Sequence, residues 1–99
     1  MKYFELVTGY KMPALGLGTW QLRGDTCTRS VRTALELGYD HIDTADMYGN
    51  HQAIRPVLKD YDPEEIFITT KIRRSGLRRD DVLEFGDRAL QELGIDVID

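Results

Sequence analysis

Three times along this chain a short apolar run gives way to an amphipathic stretch of helical period, and that alternation constrains the fold more than any other feature. Ala14–Trp20 is small and apolar, suited to a buried strand, and its glycines let a backbone or ligand come close. Asp25–Leu37 then reads as a helix with Val31, Ala34, Leu35 and Leu37 on its apolar face, an N-cap from Asp25, Thr26 or Thr28, and Gly38 as its stop. Tyr39–Thr44 is the second strand, with Tyr39, His41 and Asp43 on one face and Ile42 and Thr44 on the other. After Asn50 a second helix is expected on Ala53, Ile54, Val57 and Leu58. Ile66–Lys71 is the third strand. Asp80–Leu93 is the third helix, with Val82, Leu83, Phe85, Ala89, Leu90 and Leu93 at helical spacing and Gly94 closing it. Ile95–Asp99 has the pattern of a fourth strand's start. Ahead of all this, Tyr3–Val7 and Tyr10–Pro13 flank Thr8-Gly9, the length of a two-residue hairpin turn.

Strict β/α alternation predicts a parallel sheet with right-handed crossovers. A sheet that stops in mid-strand has an open edge, which natural domains cover or blunt. Two local features resist the pattern. Pro56 lies inside the second helical stretch, so the helix must start late or bend, at a cost of about 3 kcal/mol if a hydrogen bond is lost. Gly16 and Gly18 begin a dinucleotide fingerprint, but Gln21 holds the place of its third glycine, so the Rossmann reading fails.

The chain of 99 residues suits one small domain, 1–99. A net charge of −4 and a pI near 5.1 speak against nucleic acid as a partner. Arg73, Arg74, Arg78 and Arg79 cluster, but Asp80, Asp81 and Glu84 follow at once, so the stretch reads as a solvated loop and helix start. Cys27 is alone, so it forms no internal disulfide; a spectator thiol in a reducing compartment fits, with the cytoplasm as the default. No signal peptide pattern opens the chain, and no apolar run approaches about 18 residues, so no membrane span is expected.

Chemistry concentrates between His41 and Lys71. Asp43 falls at the end of the second strand, Tyr48 in the loop beyond it, and Lys71 at the end of the third strand. A phenol that works as an acid needs a neighbouring cation to lower its pKa from about 10, and α/β barrels place functional groups at carboxyl strand ends and the loops after them. His41, Asp43, Asp46 and His51 do not have the spacing of a closed zinc site or of a metalloprotease helix, and no metal is expected. His41 reads as a hydrogen-bonded interior residue.

Three segments together, Gly18-Thr-Trp20, Gly38-Tyr-Asp-His-Ile-Asp-Thr-Ala-Asp-Met-Tyr-Gly-Asn50 and Phe67-Ile-Thr-Thr-Lys71, resemble the aldo-keto reductases. Tyr10–Trp20 also resembles that family's opening hairpin and first strand. The resemblance implies a partial (β/α)8 barrel: an N-terminal hairpin and about three and a half βα units, roughly two-fifths of a barrel of about 250 residues. It implies reduction of an aldehyde or ketone with NADPH or NADH. Carried over residue by residue, Tyr48 is the general acid, Lys71 the cation beside it, and Asp43 the partner that holds Lys71. Gly18, Thr19 and Trp20, with Asp43, match positions that meet the nicotinamide, and Trp20 and Tyr48 those that meet the substrate.

The family's fourth strand continues into a histidine that orients the carbonyl, expected a few residues beyond Asp99, and later strands carry nearly all cofactor contacts. The 99 residues alone are therefore expected to show no useful reductase activity. Within the chain, His51 replaces a common acidic residue and Arg55-Pro56 a common Val-Gly, which puts the second helix in question. Two other readings remain open here: a non-catalytic half-barrel interaction module, and an inactive truncated remnant. An inner face without an opposite wall is expected to remain a concave exposed surface. The chain then either self-associates, as two half-barrels facing each other would, or stays a loosely packed monomer that binds a hydrophobic dye.

Overall fold

In the computed structural model, which describes residues 2–99, the elements follow in the order hairpin, then strand and helix three times. Strands Tyr3–Glu5 (β1) and Lys11–Pro13 (β2) pair antiparallel, Tyr3 opposite Pro13 and Glu5 opposite Lys11. The turn between them is not the expected two-residue one. Leu6 donates to the Tyr10 carbonyl (2.8 Å) and Gly9 to the Leu6 carbonyl (2.9 Å), closing a loop over Val7, Thr8 and Gly9. Gly9 closes it with φ 89°, the positive angle such loops reserve for glycine.

Strands Leu17–Gly18 (β3), His41–Asp43 (β4) and Phe67–Thr69 (β5) form a parallel sheet ordered β3-β4-β5. Leu17 pairs with Ile42 and Gly18 with Asp43; His41, Ile42 and Asp43 pair with Phe67, Ile68 and Thr69. Each strand is shorter than its apolar run, because the flanking residues leave the ladder for loops. Gly16 passes so close to β4 that a Cβ there would lie 2.9 Å from His41 Cγ and 3.0 Å from the His41 carbonyl oxygen. The close approach allowed by the glycines is thus made at Gly16, to His41.

Helices Gly24–Glu36 (α1), His51–Leu58 (α2) and Arg79–Leu93 (α3) cover one side of this sheet. Ile42 and Ile68 meet Cys27, Val31 and Leu35 of α1, Ile54, Val57 and Leu58 of α2, and Leu93 of α3 in one core. Each such aliphatic side chain contributes about 1.5–3 kcal/mol on burial. Some expected core positions lie outside it: Leu37, Val82 and Leu83 are exposed. Leu37 falls at the C-terminal cap of α1, and Val82 and Leu83 lie near the start of α3.

The helix ends follow the glycines. Gly38 (φ 97°) and Gly94 (φ 69°) adopt left-handed conformations after α1 and α3. Tyr39 donates back to the Ala34 carbonyl (2.9 Å) and Ile95 to the Leu90 carbonyl (3.1 Å), closing both ends in the Schellman manner. The starts differ from expectation. Arg23 holds the N-cap of α1 with no side-chain cap, and Thr28 reaches across to the Ala53 carbonyl of α2 instead (2.6 Å). Helix α2 begins directly at His51, so the late start does not occur and Pro56 lies in its interior. Its missing N–H would have met the carbonyl of Gln52 on the exposed side, and the helix ends two residues after the proline.

Residues 95–99 form no strand. They run beside β5 and are attached through Asp99, whose N–H donates to the Ile68 carbonyl (3.2 Å) and whose carboxylate accepts from Ile68 N–H (3.0 Å). The sheet face away from the helices carries Gly18, His41, Asp43, Phe67 and Thr69. It is mostly polar, and its histidine and aspartate are already hydrogen-bonded. No helix among the described residues is long and apolar enough to cross a membrane.

Candidate active site

Asp43 is the last residue of β4, and the sequence turns there from strand into the one-turn helix Asp46–Tyr48. Backbone bonds stitch this loop to the end of β5: Thr44 donates to the Thr69 carbonyl (2.8 Å) and Asp46 to the Lys71 carbonyl (3.0 Å). The stitching brings the three sequence-derived residues together. Lys71 Nζ donates to Asp43 Oδ1 (2.6 Å) and to the Thr44 carbonyl (2.9 Å). The same ammonium lies 5.3 Å from the centroid of the Tyr48 ring. Asp43 and Lys71 are both near half exposed, so water screens the pair, and its value is geometric more than stabilising. The Tyr48 hydroxyl is hydrogen-bonded to no side chain or carbonyl among the described residues.

The residues before the site divide into two groups. Gly18 and Trp20 are exposed, and a Cβ on Gly18 would meet no atom within 4 Å. Thr19, by contrast, is wholly buried: its backbone N–H and its hydroxyl both donate to the Asp43 carbonyl (3.0 Å each). Its side chain holds β4 in place and is not presented to solvent. Gln21 follows with φ 66°, a left-handed angle rare outside glycine, in a turn closed by Leu22 N–H on the Thr19 carbonyl.

Sequence reasoning missed the residue behind this arrangement. Asn50 precedes α2 in the position of a capping residue, yet its side chain caps nothing. It is buried, accepts from the Thr44 hydroxyl (2.6 Å) and donates to the carbonyls of Thr19 (2.9 Å) and Leu22 (3.1 Å). One amide thus ties the loop after β3 to the loop after β4. Its only local signal was a polar residue after Gly49, which reads equally well as a helix cap.

The residues weighed as metal ligands have other partners. His41 bonds the Pro13 carbonyl (3.1 Å) and the Thr69 hydroxyl (2.9 Å), with its ring edge-on to Phe67, as an interior histidine should. Asp46 is gripped by Arg73 and Arg88. Burial pushes its pKa up, but the two guanidiniums outweigh this and hold the carboxyl below its ordinary value. Burial raises the pKa of the Cys27 thiol and keeps it a spectator. A cleft of about 520 Å³ lies beside the site, lined by Asp46, His51, Gln52, Arg73, Arg88 and Glu92.

A parallel sheet wrapped by helices on one side, with its polar residues at the carboxyl ends of neighbouring strands, is the construction of a (β/α)8 barrel, of which this chain forms part. The profile of the aldo/keto reductase family matches residues 14–99, and the chain belongs to that family. It is 40% identical to an aldo/keto reductase of Synechocystis, with 100% of this chain and 32% of that protein covered. It is also 40% identical to the glycerol 2-dehydrogenase (NADP(+)) of Saccharomyces cerevisiae, covering 99% of this chain and 31% of that one. Among solved structures, an aldo/keto reductase of Brucella melitensis superposes with a TM-score of 0.93 at 35% identity, over 99% of this chain and 39% of the other. An aldo-keto reductase of Bombyx mori in complex with NADP gives 0.91 at 30% identity, over 99% and 36%. The chain thus spans about a third of the length of the curated relatives it matches.

Proposed function

We propose that the protein is an oxidoreductase that reduces small aldehydes or ketones to alcohols with NADPH, and that residues 1–99 are the N-terminal part of its barrel domain. One observation carries this reading: Lys71 Nζ bridges the Asp43 carboxylate at 2.6 Å and faces the Tyr48 ring at 5.3 Å, at two adjacent strand ends. Tyr48 donates its proton to the carbonyl oxygen of the substrate. Lys71 stabilises the negative charge that develops on the phenol oxygen, and Asp43 with the Thr44 carbonyl holds the ammonium beside the Tyr48 ring. Positioned proton transfer of this kind is worth about 10²–10⁴-fold in rate.

NADPH, when bound, supplies the hydride. The residues present suit a flat ring at the strand ends: Gly18 and Trp20 lie open beside Asp43, and space is free above Gly18. Two relatives favour NADPH over NADH, since one is named for NADP(+) and another was solved with NADP. Small carbonyl compounds are favoured by relatives named methylglyoxal reductase in Escherichia coli O157:H7 and D/L-glyceraldehyde reductase in Hypocrea jecorina. The lone buried thiol fits a reducing compartment such as the cytoplasm.

The test completes the barrel. Residues 1–99 replace the corresponding segment of the Synechocystis relative, and NADPH oxidation is followed with a small aldehyde. The chimera should turn over, and Tyr48→Phe should lower kcat about 10²–10⁴-fold with the circular dichroism spectrum unchanged. A folded, active chimera indifferent to Tyr48→Phe would overturn the assignment.

A further inference from the structure

Helix α3 also reaches the candidate site from behind, through two side chains. Arg88 and Glu92 lie one turn apart on α3. Arg88 Nη2 reaches Asp46 Oδ1 (3.4 Å), whose other oxygen accepts from Arg73 (2.5 Å), and Asp46 opens the turn that ends in Tyr48. Glu92 Oε1 meets His51 Nδ1 (3.1 Å), and His51 Nε2 meets the hydroxyl of Thr70 (2.9 Å). Thr70 immediately precedes Lys71. The His51 ring is only 4% exposed. A carboxylate accepts and does not donate, so Nδ1 carries a proton, and in the neutral ring Nε2 accepts from Thr70. An imidazole buried with both nitrogens engaged is locked in orientation.

Through Glu92 on one side and Thr70 on the other, the imidazole bridges α3 to the segment that follows β5.

We propose that His51, tied to Glu92 and acting through Thr70, is the positioning residue for Lys71. The inference rests on reading Lys71 as the cation of the proposed site. His51 touches neither Asp43 nor Tyr48 by hydrogen bond; it fixes the Thr70 side chain, and with it the backbone step that aims Nζ at Asp43 and Thr44.

The test reads Lys71 directly and needs no turnover. The chain is labelled with ¹⁵N-lysine, and the Lys71 ammonium resonance is assigned by its loss in Lys71→Arg. In the unaltered protein its protons should exchange slowly, being held by a carboxylate and a carbonyl. Thr70→Val and His51→Asn should each speed that exchange roughly three- to tenfold, the factor corresponding to one net hydrogen bond. His51→Gln, whose amide can still reach Thr70, should restore most of the protection. Thr70→Val replaces one hydroxyl by a methyl, so it keeps the test open if His51 variants fold poorly. Unchanged exchange in folded Thr70→Val overturns the proposal, as does a Lys71 ammonium unprotected in the parent chain. A failure here leaves the role of Tyr48 standing, and a chimera indifferent to Tyr48→Phe leaves the His51 bridge standing.

Discussion

Asp46 shows how a single side chain at this site joins stability to pH. Its carboxylate, 9% exposed, lies between Arg73 and Arg88, and its pKa is depressed. A depressed carboxylate contributes stability that is present above the ordinary carboxylate range and lost as pH falls through the lowered value. Both arginines are about half exposed, so screening limits the contribution. Asp46→Asn should therefore destabilise the fold by about 1 kcal/mol at pH 7. The difference from the parent chain should shrink below about pH 4. Urea unfolding at pH 7 and pH 3 measures both, and a difference that stays constant with pH would contradict the ion-pair account. The sequence singled out Asp43, Tyr48 and Lys71, which the fold brings together, because each stands at a strand end or in the loop that follows. It could not disclose Asn50, His51 or Glu92, because their partners lie up to 41 residues away and depend on how the helices dock.

At the scale of elements, helical period and glycine stops were read almost to the residue. Asp80–Leu93 was expected and Arg79–Leu93 is found, with Gly94 closing it in a left-handed turn. Strand ends were read poorly, because a ladder extends only as far as its neighbour does. Arg55 makes a contact between helices that local sequence does not signal. Its Nη1 donates to the Gln91 carbonyl (2.8 Å), bringing a cation from α2 to the negative end of α3. Arg55→Ala should lower stability by about 0.3–1 kcal/mol at low salt, less as salt is added. Thermal unfolding at two ionic strengths checks it; a loss insensitive to salt would assign Arg55 a packing role instead.

At the scale of the whole molecule, the helices bury one side of the sheet and leave the other polar. On that polar side His41, Asp43 and Thr69 are each already hydrogen-bonded. The exposed large apolar side chains lie elsewhere: Tyr3, Phe4, Val7 and Tyr10 in the hairpin region, Trp20 and Met47 near the site. The inner polar face is what the remaining strands of a barrel would enclose. The alternation of strand and helix made this architecture legible; the polarity of its inner face followed from register, which the sequence alone left to inference.

The most direct measurement is complementation. Residues 1–99 are mixed with a separate polypeptide carrying the rest of the Synechocystis relative's barrel, and NADPH oxidation with a small aldehyde is followed alongside light scattering. A one-to-one complex should form and turn over, while neither part does so alone, and Tyr48→Phe in the short chain should abolish turnover without weakening the complex. Failure of the two parts to associate would contradict the fold reading. A complex that reduces the aldehyde equally well with Tyr48→Phe would contradict the site.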